Sequence, residues 1–206
     1  MTRKVVLVGA FHEIVELCEA CDVQIAGIFD EHVKGEFMGH KVLGRDEDAR
    51  RLADLLRDVP VLIVPDAPEV RRRLAAYYLS LGYRPASLVS PKAVVSKSAS
   101  IGSGTVVQSC CHISTSVRIG EFVKVNTAAN LMHDSVVGDF TTIAPNAVML
   151  GRVSVRAGCY VGANATLLPD IVIGEEAIVG AGAVVTRDVA VRAVVIGNPA
   201  QAKGAS

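Results

Sequence analysis

The sequence predicts a small parallel α/β unit followed by a parallel β-helix of stacked six-residue repeats. Two observations carry this. From Val89 to Val185 an aliphatic residue or Met stands at every sixth position without an insertion. Before residue 87 that period is missing, and short apolar runs alternate with helical spacing. Composition agrees: half the chain is apolar, only 4% is aromatic and Trp is absent, so the core is built of branched and small side chains.

The repeat is the strongest signal. The column Val89, Val95, Ile101 and onward to Ile173, Val179 and Val185 has seventeen members. With half of all residues apolar, a given phase would show such a run by chance about once in 10⁵. A second column two residues earlier, from Ser87, Ala93 and Ala99 to Ala177 and Ala183, is mostly small. Residues i−2 and i of a strand share a face, so both columns point into one interior. Each repeat then holds one short strand and one corner. Three repeats close a triangular coil of eighteen residues, and the run makes between five and six coils. Gly follows the aliphatic column at Gly102, Gly120, Gly138, Gly162, Gly174 and Gly180, with Asn146 and Asn164 three residues after it. These read as corner residues, since Gly and Asn tolerate positive φ.

The first third divides into strands and helices in turn. Lys4–Val8 reads as a strand, His12–Cys21 as a helix, Val23–Phe29 as a strand. A loop bearing Gly35, Gly39 and Gly44 precedes a helix over Asp46–Leu56; a strand at Val59–Val64 and a helix at Pro68–Leu81 complete the unit. Such alternation predicts a small Rossmann-like α/β domain over residues 1–86, ahead of a β-helix domain with a C-terminal tail over 87–206. Ligands of parallel sheets lie at the carboxyl ends of strands, where helix N-termini accept phosphate. Here those ends carry Gly9-Ala10-Phe11-His12, Asp30-Glu31 and Asp66. Two readings stand at this point: a site for a phosphorylated substrate such as a nucleotide sugar, or a packing and assembly domain.

Charge excludes other classes. Lys+Arg and Asp+Glu number 21 each, so no net field favours nucleic acid or an anionic membrane. No signal peptide or membrane span is predicted, and five cysteines are expected as reduced thiols in a cytoplasm. Cys18 and Cys21 form one CxxC without further ligands at matching spacing, and read as thiols of the first helix.

The chemistry-bearing residue is a histidine. Only His112 and His133 fall within the repeats, and their separation without a third imidazole predicts no zinc site. His133 lies two residues after the core position Leu131, where the chain leaves a strand for a corner. An unperturbed imidazole titrates at about 6.5, suited to a base at neutral pH. Asp134 beside it favours the imidazolium and raises its basicity. A solvated corner histidine is the plainer reading.

Several motifs together resemble a known family. They are the strand–Gly–helix start, Phe29-Asp30-Glu31, Gly39 with Val42-Leu43-Gly44, the stretch Asn130-Leu131-Met132-His133-Asp134 through Gly138-Asp139-Phe140, and Gly197-Asn198-Pro199-Ala200. The chain resembles the bacterial sugar O-acyltransferase family, of sialic-acid O-acetyltransferase and UDP-4-amino-sugar N-acetyltransferase type, among the hexapeptide-repeat acyltransferases. The resemblance spans nearly the whole chain. It implies a left-handed β-helix, a homotrimer, acetyl-CoA as acyl donor, no metal, and a nucleotide-linked amino sugar as acceptor. It further implies His133 as general base and Asp134 as its support. Gly9, Phe11, His12, Asp30, Glu31 and Asp66 become substrate-side residues, and Thr142, Gly151, Ala163 and Ala181 donor-side residues.

Two departures from the family pattern stand out. The turn Gly9-Ala10-Phe11-His12-Glu13 replaces a glycine-richer one, placing bulk and negative charge where a diphosphate approaches. Thr142 stands where the family has a second histidine at the donor. The leading expectation is N-acetylation of a UDP-4-amino-sugar by direct transfer without an enzyme nucleophile. Sugar O-acetylation, a non-catalytic hexapeptide scaffold or binding protein, and a carbonic-anhydrase-like zinc enzyme are the alternatives.

Overall fold

The computed structural model describes residues 3–203. Its first part is a five-stranded sheet: β1 (Lys4–Val8), β2 (Gln24–Phe29), β3 (Glu36–Phe37), β4 (His40–Gly44) and β5 (Val61–Ile63), in the order β3-β4-β2-β1-β5. All pairings are parallel except the β3–β4 hairpin. Successive side chains of β1 point to opposite faces. Val5 and Leu7 pack with Ile14, Val15 and Cys18 of α1 (His12–Ala20). Val6 and Val8 pack with Leu74, Ala75 and Tyr78 of α3 (Pro68–Ser80), preceded in the chain by α2 (Ala49–Leu52).

Two sequence expectations need correction here. The loop bearing Gly39 and Gly44 is the β3–β4 hairpin, and β4 lies parallel beside β2. Leu43 closes over Gly27, where an added Cβ would sit 2.5 Å from the Leu43 Cγ. The helix expected over Asp46–Leu56 is a 3₁₀ turn at Asp46–Asp48 and a single α turn at Ala49–Leu52. Of those helical residues only Ala49 is buried, and Leu55 is 79% exposed, so the segment has no continuous apolar face to hold it as a longer helix.

From Leu88 the chain winds as a left-handed parallel β-helix with three faces. The first carries Leu88–Val89, Val106–Val107, Lys124–Val125, Thr142–Ile143, Tyr160–Val161 and Ile178–Val179, and is extended by Val194–Ile196 and the antiparallel Gln201–Ala202. The second runs from Val94–Val95 to Val184–Val185 and the third from Ser100–Ile101 to Val172–Ile173. Within each face, successive strands up to Val184–Val185 pair in register eighteen residues apart, as Asn130 does with Val148. Both predicted columns meet in one continuous core. At the open first coil Val89 is 37% exposed, because no coil lies beneath it.

The corner glycines serve a purpose different from the one expected. Left-handed φ falls three residues after the aliphatic column and is carried mainly by non-glycine residues, among them Ser116, Asp134, Asn146, Arg152, Asn164 and Asp170. Gly138 and Gly162 have no positive φ; a Cβ on either would lie 2.5 Å from a backbone nitrogen of the next coil. They are glycine because neighbouring coils approach too closely for a side chain.

The α/β unit docks on the first face. Leu88 and Val106 join the core on the α1 side, and Phe122 joins that on the α3 side. Arg71 of α3 is 1% exposed and ties the two parts together. Its guanidinium donates to the carbonyls of Pro65 (2.6 Å), Asp66 (3.0 Å), Phe122 (2.7 Å), Phe140 (2.7 Å) and Thr141 (3.0 Å).

Candidate active site

His133 and Asp134 stand at the corner between the second and third faces, after the strand Asn130–Leu131. The positive φ of Asp134 (61°) turns its side chain back toward the preceding residue, and its Oδ2 lies 2.9 Å from His133 Nδ1. That contact places the proton on Nδ1 and leaves Nε2 as the basic nitrogen. Both side chains are about half exposed, at 48% and 55%. Gly151, one coil above, is buried beneath the ring: an added Cβ would lie 2.5 Å from Nε2 and 2.6 Å from Cε1. The Arg152 N–H donates to the His133 carbonyl (2.9 Å), fixing the two coils to each other. Its guanidinium grips Asp170 at 2.6 and 2.8 Å.

The residues expected on the substrate side gather at the carboxyl edge of the sheet. The Asp30 carboxylate accepts from the backbone N–H groups of Ala10 (2.8 Å), His32 (2.9 Å) and Val33 (2.9 Å), lashing the Gly9 turn to the end of β2. Partial burial alone would raise its pKa, but the three donors together hold it below the ordinary carboxylate value. The Phe11 ring folds over Gly9, whose φ is 106° and whose added Cβ would sit 2.9 Å from that ring. Glu31 accepts from the Asp46 N–H at 3.3 Å, and His12 packs edge-on against Phe37.

Lys124 is the functional-looking group that sequence reading missed. Its side chain is 1% exposed, and its ammonium sits 3.0 Å from Asp66, 3.6 Å from Glu13 and 5.0 Å from the centre of the Phe11 ring. It also donates to the Val64 carbonyl (3.1 Å), while Asn126 donates to Asp66 (3.3 Å). In the repeat, Lys124 occupies an outward strand position like any solvated residue, so nothing in the spacing marks it. Docking of the α/β unit buries it. The negative charge noted at Glu13 is therefore answered by a cation from the β-helix.

The donor-side residues separate. Thr142 is fully buried under the docked unit, its hydroxyl donating to the Asp66 carbonyl (2.6 Å) and accepting from Arg71 (3.0 Å). The Thr142 hydroxyl, expected on the donor side, is engaged at the junction between the two parts. Ala163 and Ala181 stack one coil apart at the corner between the first and second faces, half-buried and exposed respectively. A cavity of about 610 Å³ opens beside Asp66 between the start of α3 and Tyr160 and Ile178 of the first face. The first face lies across the prism from the His133 corner, so within one chain His133 and the sheet-edge residues point away from each other.

The cysteines stand apart from both groups. Cys18 is buried against the sheet, and burial, with Cys21 and Glu19 nearby, pushes its thiol up to about 12. No helix among the described residues is long and apolar enough to cross a membrane.

Comparison with known proteins adds to this geometry. Residues 152–187 match the model of the bacterial transferase hexapeptide (six repeats). No curated protein sequence matches the chain. Among solved structures, PerB from Caulobacter crescentus, in complex with CoA and GDP-perosamine, is similar at 29% identity and a TM-score of 0.93, with 99% of each chain covered. The acetyltransferase domain of PglB from Neisseria gonorrhoeae FA1090, in complex with acetyl coenzyme A, is 28% identical over 98% of this chain and 100% of that one, at a TM-score of 0.91. WeeI from Acinetobacter baumannii AYE is 25% identical over 97% and 100%, at 0.83. By its six-residue period, its left-handed prism and these full-length likenesses, the chain is similar to sugar acetyltransferases built on hexapeptide repeats.

Proposed function

We propose that the protein transfers the acetyl group of acetyl-CoA to the amino group of a nucleotide-linked 4-amino sugar, with His133 as general base. The observation that carries the reading is the His133–Asp134 pair over Gly151, on a scaffold whose full-length likenesses include structures holding CoA, acetyl-CoA and GDP-perosamine. The amine lone pair attacks the thioester carbonyl carbon while His133 Nε2 takes the amine proton. Asp134, accepting from Nδ1–H, stabilises the imidazolium that forms. The Gly151 N–H donates to no protein acceptor among the described residues and lies beside the ring, which suits it to the developing oxyanion. The C–S bond then breaks and CoA leaves as thiolate. Asp134 has the orienting role of a third group in a triad, with the substrate amine as nucleophile.

The acceptor binds at the sheet edge around Gly9, Phe11, His12, Asp30, Glu31 and Asp66, and the donor runs past Gly151, Ala163 and Ala181. Since base and sheet edge face opposite ways in one chain, the site is completed between subunits of a homotrimer working in the cytoplasm. A UDP-linked sugar is the acceptor favoured by the family resemblance; the GDP-perosamine of PerB makes a GDP-linked sugar the second candidate. Thiol release from acetyl-CoA, measured against a panel of UDP- and GDP-linked amino sugars, tests the reading. Turnover is expected with at least one of them, and kcat is expected to fall by ~10²–10⁴ in H133A with the fold intact. No thiol release with any acceptor, or an H133A variant as fast as the wild type, overturns it.

A further inference from the structure

The charges around His133 are stacked with the period of the coil. Ser116, Asp134, Arg152 and Asp170 occupy the same corner position of successive coils, all with left-handed φ near 60°. Their side chains therefore leave the corner in similar directions, one coil apart. Arg152 has a carboxylate on either side of it: Asp134 in the coil below and Asp170 in the coil above. It pairs with Asp170 through both Nε (2.6 Å) and Nη2 (2.8 Å), a fork-on-fork geometry, while Asp134 faces the imidazole at 2.9 Å.

We propose that Asp170 is a positioning residue for the acyl transfer: by gripping Arg152 from the coil above, it keeps the guanidinium off Asp134 and leaves that carboxylate to His133. This rests on the reading of His133 as the base. An exposed ion pair of this kind contributes little to stability, so the consequence of the pairing is directional. It decides which carboxylate Arg152 occupies. The alternative partner is within its field, because Asp134 already acts on the Arg152 charge. The groups facing His133 are few. They are Asp134 in its own turn, Arg152 one coil above and Asp170 two above; Thr115 and Ser116 of the coil below bring no charge. The Asp170 carboxyl is held below its ordinary pKa, first by the hydrogen bonds from Arg152, with the Arg152 and His133 charges adding to that.

Removing the Asp170 charge acts on His133 in one direction. The imidazolium loses a nearby carboxylate, and Arg152, now without its upper partner, turns to Asp134 and brings a positive charge beside the ring. Both disfavour the imidazolium, so the pKa of His133 falls. A weaker base takes the amine proton less well, and the acidic limb of the rate profile moves to lower pH.

The test is the titration of His133 in the whole protein, followed by NMR of histidine-labelled samples and assigned by the signal lost in H133A. D170N is expected to lower its midpoint by about half a unit. The acidic limb of the kcat/KM profile is expected to move with it, and kcat/KM at pH 7 to fall by up to about threefold. Adding R152Q to D170N removes the intruding guanidinium and returns at least half of that shift; D170E, which still holds Arg152, titrates like the wild type. A D170N midpoint unchanged from the wild type, or a shift that R152Q does not reduce, overturns the proposal. Because the titration needs no substrate, it is read independently of turnover. An H133A variant that keeps full activity would sink the base assignment without touching the NMR result.

Discussion

At the scale of single residues, the site depends on a glycine whose missing side chain seats the imidazole. Gly151 is buried under the imidazole, and no side chain fits there without moving His133. The ring is half exposed, so it has room to swing aside and the fold absorbs the change easily. G151A is therefore expected to leave the thermal midpoint within about 2 °C of the wild type while lowering kcat about tenfold or more, since a displacement of about 1 Å at a reacting group costs that much. Circular dichroism melting beside the thiol-release assay separates the two effects. A fall in Tm with unchanged kcat would mean that the ring position is irrelevant to turnover. His133 and Asp134 were legible as neighbours in the sequence, as was their place at a corner. The ring's seat on Gly151, eighteen residues away, follows from the repeat once the coil length is known. The pairing of Arg152 with Asp170 instead of Asp134 does not, because both carboxylates lie one coil from it.

At the scale of elements, the junction between α3 and the first face rests on Arg71. Its guanidinium is removed from water and compensated by five carbonyl oxygens and the Thr142 hydroxyl. Burial lowers its pKa from the usual arginine value to about 10, an effect that Asp66 and Glu69 partly offset, so it stays charged at neutral pH. Truncation to Ala leaves those carbonyls facing a void. R71A is expected to destabilise the protein by about 3 kcal/mol or more, read as a fall in Tm of roughly 6 °C or more. A melting curve that matches the wild type would show that the junction is held by apolar contacts alone. In the sequence Arg71, Arg72 and Arg73 are three consecutive cations within one helix. Arg71 is inside the molecule because α3 lies against Phe122 and Phe140. Arg72, one residue on, reaches Glu176 and covers the Phe140 ring. Helical spacing alone distinguishes the faces of α3 but not which of them meets the β-helix.

At the scale of the whole molecule, His133 and the sheet-edge residues lie on opposite sides of the prism. On the proposed reading a second subunit completes the site, and light scattering of the purified protein is expected to give three times the 21.6 kDa chain mass. A monomeric mass together with full turnover would show that one chain suffices and that the sheet edge is not the acceptor site. The Gly9 turn also belongs to this scale. Read as sequence, Phe11 and Glu13 oppose a diphosphate. In the folded protein Phe11 covers Gly9, and Lys124 from the β-helix lies between Glu13 and Asp66 and offsets part of their charge.

The sequence alone determined the β-helix, its length and its interior. A period of six imposes the same local geometry on every repeat, and a strand's alternation decides which residues face inward. It also placed a histidine and an acid side by side at a corner. Only the tertiary structure decided what covers the first face. The outward positions Lys124 and Thr142 obey the same pattern as solvated residues, and their burial comes from a unit more than thirty residues away in the chain. It likewise decided that Gly138 and Gly162 are glycine for close coil contact and not for their own φ, a contact between coils that spacing along one strand does not reveal. Local periodicity sets local geometry; long-range docking sets which polar groups lose water, and with that which of them bear on function.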